Sequence, residues 1–168
     1  MPSSENPRNP TLARHLESGN LEARAAGDHE IASFWSKAHV AHADARNASS
    51  SPDNRLLRAY DAGRIAATAI IRAGGFRVKS GEGHHFVTFD VARSLVTEPA
   101  LRTALDEMSA LRTQRHALEY EPEDEIDMST VEHAVGVATR IINTGADHLR
   151  GTRPAARARF AKVKSRGE

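Results

Sequence analysis

Apolar residues recur at intervals of three or four along most of this chain, which is the spacing of one face of an α-helix. The first clear stripe follows Asp28 and runs through Ile31, Trp35 and Ala38. Asp28 is a suitable N-cap, because its carboxylate accepts hydrogen bonds from the free amides of a first turn. The pattern predicts a helix that begins near Asp28 and ends before the polar run at residues 48–51.

A second start signal is Ser51-Pro52, since serine caps free amides and proline fits the first helical turn. The segment that follows carries Leu56, Tyr60 and Ile70 on one stripe and ends at Gly74-Gly75. Small residues occupy most of one side, so another helix can approach closely and we expect this helix at the centre of the fold. These small residues are Ala59, Ala62, Gly63, Ala66 and Ala67.

Further helices are predicted by the same periodicity. A shorter one runs from about His84 to Leu95, a longer one from Pro99 to Pro122, and a last one from Ser129 to Leu149. The only strand candidate is Phe86 to Phe89, and its alternation is too short to outweigh the helical spacing. The sequence therefore predicts an all-α fold.

The length of the chain and the positions of its prolines and glycines predict a helical bundle with two flanking segments. The 168 residues suffice for one domain with a core. Residues 1–27 hold prolines and glycines among polar residues and predict a flexible N-terminal arm, with one short helix around Leu12 to Ser18. Residues 28–150 form the helical bundle domain, and residues 151–168 form a basic tail.

The composition excludes several classes of protein. Hydrophobic residues make up 39% of the chain but form no long apolar run, which argues against a membrane span. The first residues lack a signal-peptide pattern, so we expect a cytoplasmic protein with no membrane partner. There is no cysteine, which excludes disulfides, thiolate metal sites and cysteine nucleophiles.

The net charge is only +1, yet opposite charges are segregated along the chain. Residues 119–127 carry six acids and no base, whereas residues 150–168 carry seven bases and one acid. The basic segment can neutralise phosphates of a nucleic acid. The alternative is a solubilising tail, or one that lies on the acidic loop. The candidate RNA-binding residues of the tail are Arg150, Arg153, Arg157, Arg159, Lys162 and Lys164.

Several side chains that could bind a phosphate or transfer a proton lie within about one and a half turns of the helix after Pro99. Arg115, His116, Glu119 and Tyr120 supply a guanidinium, an imidazole, a carboxylate and a phenol. A guanidinium can hold a phosphate, and an imidazole can transfer a proton near neutral pH. The alternative is that these charges form ordinary surface ion pairs.

Other recognisable sites find little support in the sequence. His39 and His42 have the spacing of two metal ligands on a helix, but two ligands do not make a site, so we predict no metal and no cofactor. Glycine-rich phosphate loops and the serine-hydrolase motif are absent, which sets aside nucleotide hydrolysis and serine-hydrolase chemistry.

Residues 59–64, Ala-Tyr-Asp-Ala-Gly-Arg, followed by the Ala-rich 66–73 and the exit Gly75-Phe76-Arg77, resemble the central helix of small HEPN proteins of bacteria and archaea. Residues 111–121 are similar to the arginine-rich motif that such proteins carry before their last helix. The resemblance spans roughly residues 12–142. It implies an up-and-down bundle of four to five helices, usually a homodimer with a cleft between the paired motif helices. Many such proteins are metal-independent ribonucleases or toxins.

The resemblance also assigns roles to the motif. Arg115 matches the family's arginine and His116 its polar position, with Arg112 as a further RNA-binding residue. Tyr120 stands where catalytic members have a histidine, and a phenol with an ordinary pKa of about 10 is a poor general base at neutral pH. His116 is the candidate to replace that histidine. Some family toxins are silenced by a nucleotidyltransferase that modifies a motif tyrosine, and the resemblance makes Tyr120 the candidate acceptor.

Three functional hypotheses follow from these observations. The first is an RNA-binding or RNA-cleaving protein of toxin–antitoxin or defence type, with a nucleotidyltransferase-type antitoxin as a partner. The second is a non-catalytic protein–protein interaction module on the same bundle. The third is a plain helical scaffold in which the arginines only form ion pairs.

Overall fold

Helices dominate the computed structural model, which describes residues 9–120 and 126–164, without the side chains of residues 117–120. The described elements confirm the predicted helical class in its coarse form. In chain order they are α1 (Pro10–Glu17), β1 (Leu21–Ala23), α2 (Asp28–Ala45), α3 (Pro52–Ala73), β2 (Phe76–Val78), α4 (His84–Leu95), α5 (Pro99–Ala110), α6 (Arg112–Tyr120), α7 (Met128–Thr152) and a short 3₁₀ helix η1 (Pro154–Arg159). None of the described helices combines the length and the apolar character that a membrane crossing needs.

The helix starts follow local capping chemistry. The Ser51 side chain accepts a hydrogen bond from the Asn54 amide, with Pro52 in the first turn of α3, as predicted. The predicted cap of α2 is wrong by one residue, and α7 begins one residue before the start predicted at Ser129. Gly27 is the N-cap of α2, with Asp28 in its first turn, and Asp127 caps α7 by accepting from the amide of Ser129.

Helix α3 lies at the centre of the fold, as its small residues predict, and contacts α2, α4, α5, α6, α7 and β2. Tyr60, Ala62 and Ala66 have no solvent exposure. A Cβ atom added to Gly63 would lie 2.8 Å from Cγ of Met108 on α5. Glycine at this position therefore permits the close approach of α3 and α5.

The predicted helix from Pro99 to Pro122 is divided in the structure. Helix α5 ends at Ala110, Leu111 interrupts the helix, and α6 begins at Arg112. Helix α5 packs on α7, α4 and α3, and α6 contacts α3 and α5. The predicted motif therefore lies against the central helix, while Pro122 lies outside the described residues.

The flexible N-terminal arm predicted for residues 1–27 is wrong for residues 9–27. Helix α1 buries Leu12, and Leu21 of β1 is also buried. Strand β1 pairs antiparallel with β2, with Leu21 opposite Val78. A pairing between segments so distant in sequence leaves no local signal, which is why the pattern suggested a loose segment. Residues 1–8 lie outside the description.

The C-terminal segment also folds back onto the bundle. The 3₁₀ helix η1 packs on α2 and α7. The side chain of Phe160 is completely buried, and its ring meets that of Trp35 edge-on at a centroid distance of 6.3 Å. The Trp35 Nε1–H donates to the carbonyl oxygen of Ala161 at 2.9 Å. The segment up to residue 164 is therefore an ordered part of the fold.

Candidate functional site

Helices α3, α4 and α6 meet around the buried ring of Tyr60. The ring of Phe89 lies edge-on to it at a centroid distance of 5.6 Å, and the ring of His85 lies 5.8 Å away. The guanidinium carbon of Arg115 lies 5.4 Å from the centre of the Tyr60 ring, a cation–π distance. Arg115 belongs to α6, which begins after the break at Leu111 and contacts α3.

Exposed side chains extend this group to the surface. Phe86 is 45% exposed, and the guanidinium carbon of Arg112 lies 5.2 Å from the centre of its ring. The rings of His84 and His85 are 4.2 Å apart. We refer to these residues, together with the neighbouring Arg64 of α3, as the Tyr60 cluster. Its members are Tyr60, Arg64, His84, His85, Phe86, Phe89, Arg112 and Arg115.

The charge of the cluster is predominantly positive among the described residues. Arg64 lies 3.6 Å from the carboxylate of Asp61, which is shared with Arg58 at 3.4 Å. Arg112 and Arg115 add two more guanidiniums from α6. Several guanidiniums around one carboxylate make a surface that attracts anions.

Burial and this charge set the protonation of the two central side chains. Burial, then the neighbouring His84, Arg64, Arg115 and Arg112, lower the pKa of His85 to about 4. The imidazole of His85 is therefore neutral at physiological pH.

Burial also raises the pKa of Tyr60 to about 12, against the opposing effect of the nearby arginines. The phenol of Tyr60 consequently keeps its proton. Its hydroxyl has no hydrogen-bond partner within the described part of the chain, although buried phenols usually have one. Tyr60 therefore presents an unused donor within the cluster.

The structure places the predicted catalytic residues at different positions. Arg115 contacts the Tyr60 ring within the cluster, and His116 is exposed on α6. Tyr120 ends α6, but its side chain lies outside the described part. Sequence reasoning missed the roles of Tyr60, His84 and His85. Tyr60 lay in the segment that carries the HEPN resemblance. For His84 and His85, the available signal was that two histidines are adjacent in the sequence.

The predicted RNA-binding residues are not gathered at one place. Arg112 lies in the Tyr60 cluster, whereas the basic tail packs on α2 and α7. Arg150 donates from Nε to the carbonyl oxygen of Phe160 at 2.9 Å. Arg153 donates to the carbonyl oxygen of Ala73 at 3.1 Å. These two arginines attach the tail to the bundle.

The remaining basic residues of the tail up to residue 164 are exposed. Lys162 pairs with Asp147 at 3.0 Å, and Arg159 approaches Nδ1 of His29 at 3.3 Å. Arg157 and Lys164 are open to solvent. The tail therefore presents scattered charges rather than a continuation of the cluster.

The histidine pair of α2 contributes to packing. His39 Nε2 donates to the carbonyl oxygen of Ala161 at 2.8 Å, and His42 Nε2 lies 2.7 Å from the hydroxyl of Thr139. Within residues 9–120 and 126–164, no group of three or more histidines and carboxylates is arranged to hold a metal ion.

Comparison of the chain with models of known protein families, with curated proteins and with solved structures gave no match. The functional interpretation therefore depends on the chemistry of the site.

Proposed function

We propose that this protein binds single-stranded RNA at the Tyr60 cluster. Arg112 and Arg115 contact phosphates, and Phe86 stacks on a base. The observation that carries the proposal is the cation–π contact of the Arg112 guanidinium with the exposed Phe86 ring. Arg112 belongs to α6 and Phe86 to α4, and these helices meet at Tyr60. A positive charge and an aromatic face therefore lie side by side.

The chemistry of these side chains matches that of a nucleic-acid strand. A guanidinium can hold a phosphate through two parallel hydrogen bonds. An aromatic ring offers a stacking surface that any base can use once it is unpaired. Bases in a duplex are already stacked, so this combination favours a single strand.

The proposal extends to the HEPN resemblance. Arg115, which matches the family's motif arginine, lies at the cluster, and α6 precedes the last long helix α7. We therefore propose a HEPN-like bundle that forms a homodimer through its motif helices. A role in a toxin–antitoxin or defence system, with a nucleotidyltransferase-type antitoxin that acts on Tyr120, stays a prediction.

The second candidate is the non-catalytic interaction module. The same Phe86, half exposed and next to a guanidinium, has the composition of a protein-binding hot spot, where aromatic residues and arginine are enriched. The two candidates differ in one measurable property, because only RNA binding requires a strong dependence on salt.

The test is the affinity of the purified chain for a labelled single-stranded RNA of mixed sequence, measured by fluorescence anisotropy at several salt concentrations. Changing Arg112 and Arg115 together to Gln should weaken binding by about tenfold or more. The salt slope should fall by about one for each phosphate that is no longer neutralised. The control is Arg93→Gln, which removes an exposed guanidinium of α4 that pairs with Asp106.

Circular dichroism of each variant establishes that the helices are retained. Equal RNA affinity of the double variant and the wild type would contradict the proposal. Absence of wild-type binding at physiological salt would also contradict it and would favour the interaction module or the helical scaffold.

A further inference from the structure

A polar cavity lies where α2, α3, α7 and the C-terminal segment adjoin. Its floor is one face of α7, on which Glu132, Val135, Gly136 and Thr139 have the spacing i, i+3, i+4 and i+7. The cavity has a volume of about 320 Å³, which is at the small end of the range of about 300–1,000 Å³ for ligand sites. We refer to this cavity as the α7 pocket.

The walls of the α7 pocket carry three cationic side chains. Arg46 directly follows α2, Arg55 lies in the first turns of α3, and Lys164 ends the described part of the chain. Glu132 contributes one carboxylate, so the side chains around the pocket have a net charge of +2. A concave surface with this charge attracts an anion.

The guanidinium of Arg55 is fixed in position by the fold. Its Nε donates to the carbonyl oxygen of Ala45 at 2.8 Å, and its Nη2 donates to Oε1 of Glu132 at 3.0 Å. Within the described part of the chain Nη1 has no hydrogen-bond partner, yet it is not sealed off from solvent. Nη1 can therefore donate to a ligand, and a donor that is already held in place loses little freedom on binding.

Arg46 is a second guanidinium that is available to an anion. Among the described residues no carboxylate pairs with it, because Asp44, two residues earlier, pairs with Arg58 at 2.8 Å. Arg46 also lies near the floor of the pocket. After burial it is the next cause that lowers the pKa of His42, whose Nε2 lies 2.7 Å from the hydroxyl of Thr139.

The C-terminal segment forms the remaining wall. The amide of Val163 donates to Oδ1 of Asn143 on α7 at 2.8 Å. This bond holds the segment along α7 and places Lys164 at the end of the pocket. The pocket is therefore complete only when the C-terminal segment is docked.

Gly136 is a residue of the floor that packing within the chain does not explain. It is exposed in α7, and no other part of the described structure lies within 4 Å of the position that a Cβ atom would take. At Gly145 of the same helix, by contrast, a Cβ atom would lie 3.0 Å from the Trp35 ring. Glycine destabilises a helix relative to alanine. Its presence at position 136 leaves the floor open to the close approach of a ligand.

We propose that the α7 pocket binds a small phosphate monoester of the sugar phosphate class. The phosphate group contacts Arg46, Nη1 of Arg55 and Lys164. A guanidinium donates parallel hydrogen bonds to two phosphate oxygens. A phosphate monoester has a charge of about −1.5 to −2 at neutral pH, which balances the pocket, whereas a single carboxylate would bring only half of that charge.

The rest of the pocket fits a hydroxylated carbon skeleton. Val135 and Val163 offer apolar surface to carbon atoms, and Gly136 leaves room for them. Oε1 of Glu132 accepts from Arg55, so Oε2 can accept from a sugar hydroxyl. This binding does not depend on the proposed RNA binding, because none of these residues belongs to the Tyr60 cluster.

The test is isothermal titration calorimetry of the full chain with ribose 5-phosphate, inorganic phosphate and ribose. Gly136→Gln fills the floor of the pocket without a change of charge, and Arg46→Gln removes a cation. The matched control is Gly151→Gln, since Gly151 is also an exposed glycine of α7 with open space at its Cβ position. Arg55 is left unchanged because it also joins α3 to α2 and α7.

The wild type and Gly151→Gln should bind ribose 5-phosphate with a dissociation constant below about 1 mM. They should bind inorganic phosphate more weakly and ribose not at all. Gly136→Gln and Arg46→Gln should each weaken the binding of ribose 5-phosphate by about tenfold or more. Without ligand, Gly136→Gln should melt no lower than the wild type, because glutamine favours a helix more than glycine does. Its loss of binding would then not result from unfolding.

Three results would overturn the proposal. Absence of ribose 5-phosphate binding by the wild type would show that the pocket takes no phosphate monoester. Equal affinity of Gly136→Gln and the wild type would disprove the assigned pocket. Inorganic phosphate that binds as tightly as ribose 5-phosphate would disprove the assigned ligand class, because the carbon skeleton would then contribute nothing.

Discussion

His42 of α2 donates its Nε2–H to the hydroxyl oxygen of Thr139 on α7 at a distance of 2.7 Å. The direction of this bond follows from the next one, since the Thr139 hydroxyl gives its own hydrogen to the carbonyl oxygen of Val135 at 2.9 Å. Burial, then the nearby Arg46 and His39, lower the pKa of His42 to about 4. The bond that joins α2 to α7 therefore contains a neutral imidazole.

This geometry predicts that the protein is destabilised by acid. The unfolded chain binds a proton at His42 near its ordinary pKa of about 6.5, whereas the folded chain resists until about pH 4. Between these values the unfolded state binds more protons, so the free energy of unfolding falls as the pH falls, by about 3 kcal/mol in total. Urea unfolding at a series of pH values measures this decrease.

His42→Gln should reduce that pH dependence, even if it lowers stability at neutral pH. His85 contributes in the same direction, because its pKa is also about 4, so the difference between the two proteins isolates His42. Identical slopes for His42→Gln and the wild type would refute the assignment.

We expect substitution of Arg72 to cause a large loss of stability. It is 3% exposed and donates to the Glu30 carboxylate and to the carbonyl oxygens of Arg24 and Phe76, each at 2.8 Å. Arg72→Met should lower the free energy of unfolding by about 2–4 kcal/mol, since these acceptors lose their donor. Denaturant midpoints provide the measurement.

Two further variants sharpen the Arg72 experiment. Arg72→Lys should restore only part of the stability, because an ammonium cannot reproduce the fork of the guanidinium. Arg77→Met removes an exposed arginine that pairs with Glu22 at 3.1 Å and should cost less than about 1 kcal/mol. A loss in Arg72→Met no larger than in Arg77→Met would show that the buried network contributes little.

We expect the buried Phe160 ring to hold the C-terminal segment on the bundle. Phe160→Ala removes a fully buried ring and should cost about 3 kcal/mol or more. The freed segment should then be cut faster by trypsin after Arg157 and Arg159. Lys162→Gln, which removes only a surface ion pair, should change stability by less than about 1 kcal/mol. Unchanged proteolysis of Phe160→Ala would mean that other contacts suffice to hold the segment.

Replacing Phe86 tests how much the proposed RNA binding depends on stacking rather than on charge. Phe86→Ala should weaken binding of the single-stranded RNA by about 5- to 150-fold, the range expected for one stacked base. Phe86→Tyr should retain affinity because the ring face remains. Since Phe86 is 45% exposed, its replacement by alanine should hardly affect unfolding. Equal affinity of Phe86→Ala and wild type would remove stacking from the proposed interface.

Local chemistry explains which parts of the fold the sequence predicts. The cap at Ser51 and the small residues along α3 act within or beside one helix, so they are readable from neighbouring positions. The break at Leu111 is not readable in this way, because apolar spacing continues through it. Both α5 and α6 contact α3, and α5 also packs on α7 and α4, so the break belongs to a region where tertiary contacts act on the helices.

The same distinction applies to the site. Arg112 and Arg115 are adjacent on one helix, so a short motif points to them. Tyr60 and His85 are distant from this motif in sequence and become its neighbours only when α3, α4 and α6 pack together. The pattern of the chain therefore indicates the two arginines of α6 and leaves the imidazoles of α4 unassigned.

The contact between Trp35 and the C-terminal segment also bears on the order of events during synthesis. Trp35 leaves the ribosome 126 residues before the carbonyl that accepts its Nε1–H. A nascent chain folds from its N-terminal side, so the part of the indole ring that Phe160 covers stays exposed until that residue arrives. The native state is therefore completed only by a late docking step. Because this tryptophan is the only one in the chain, its fluorescence reports that step directly.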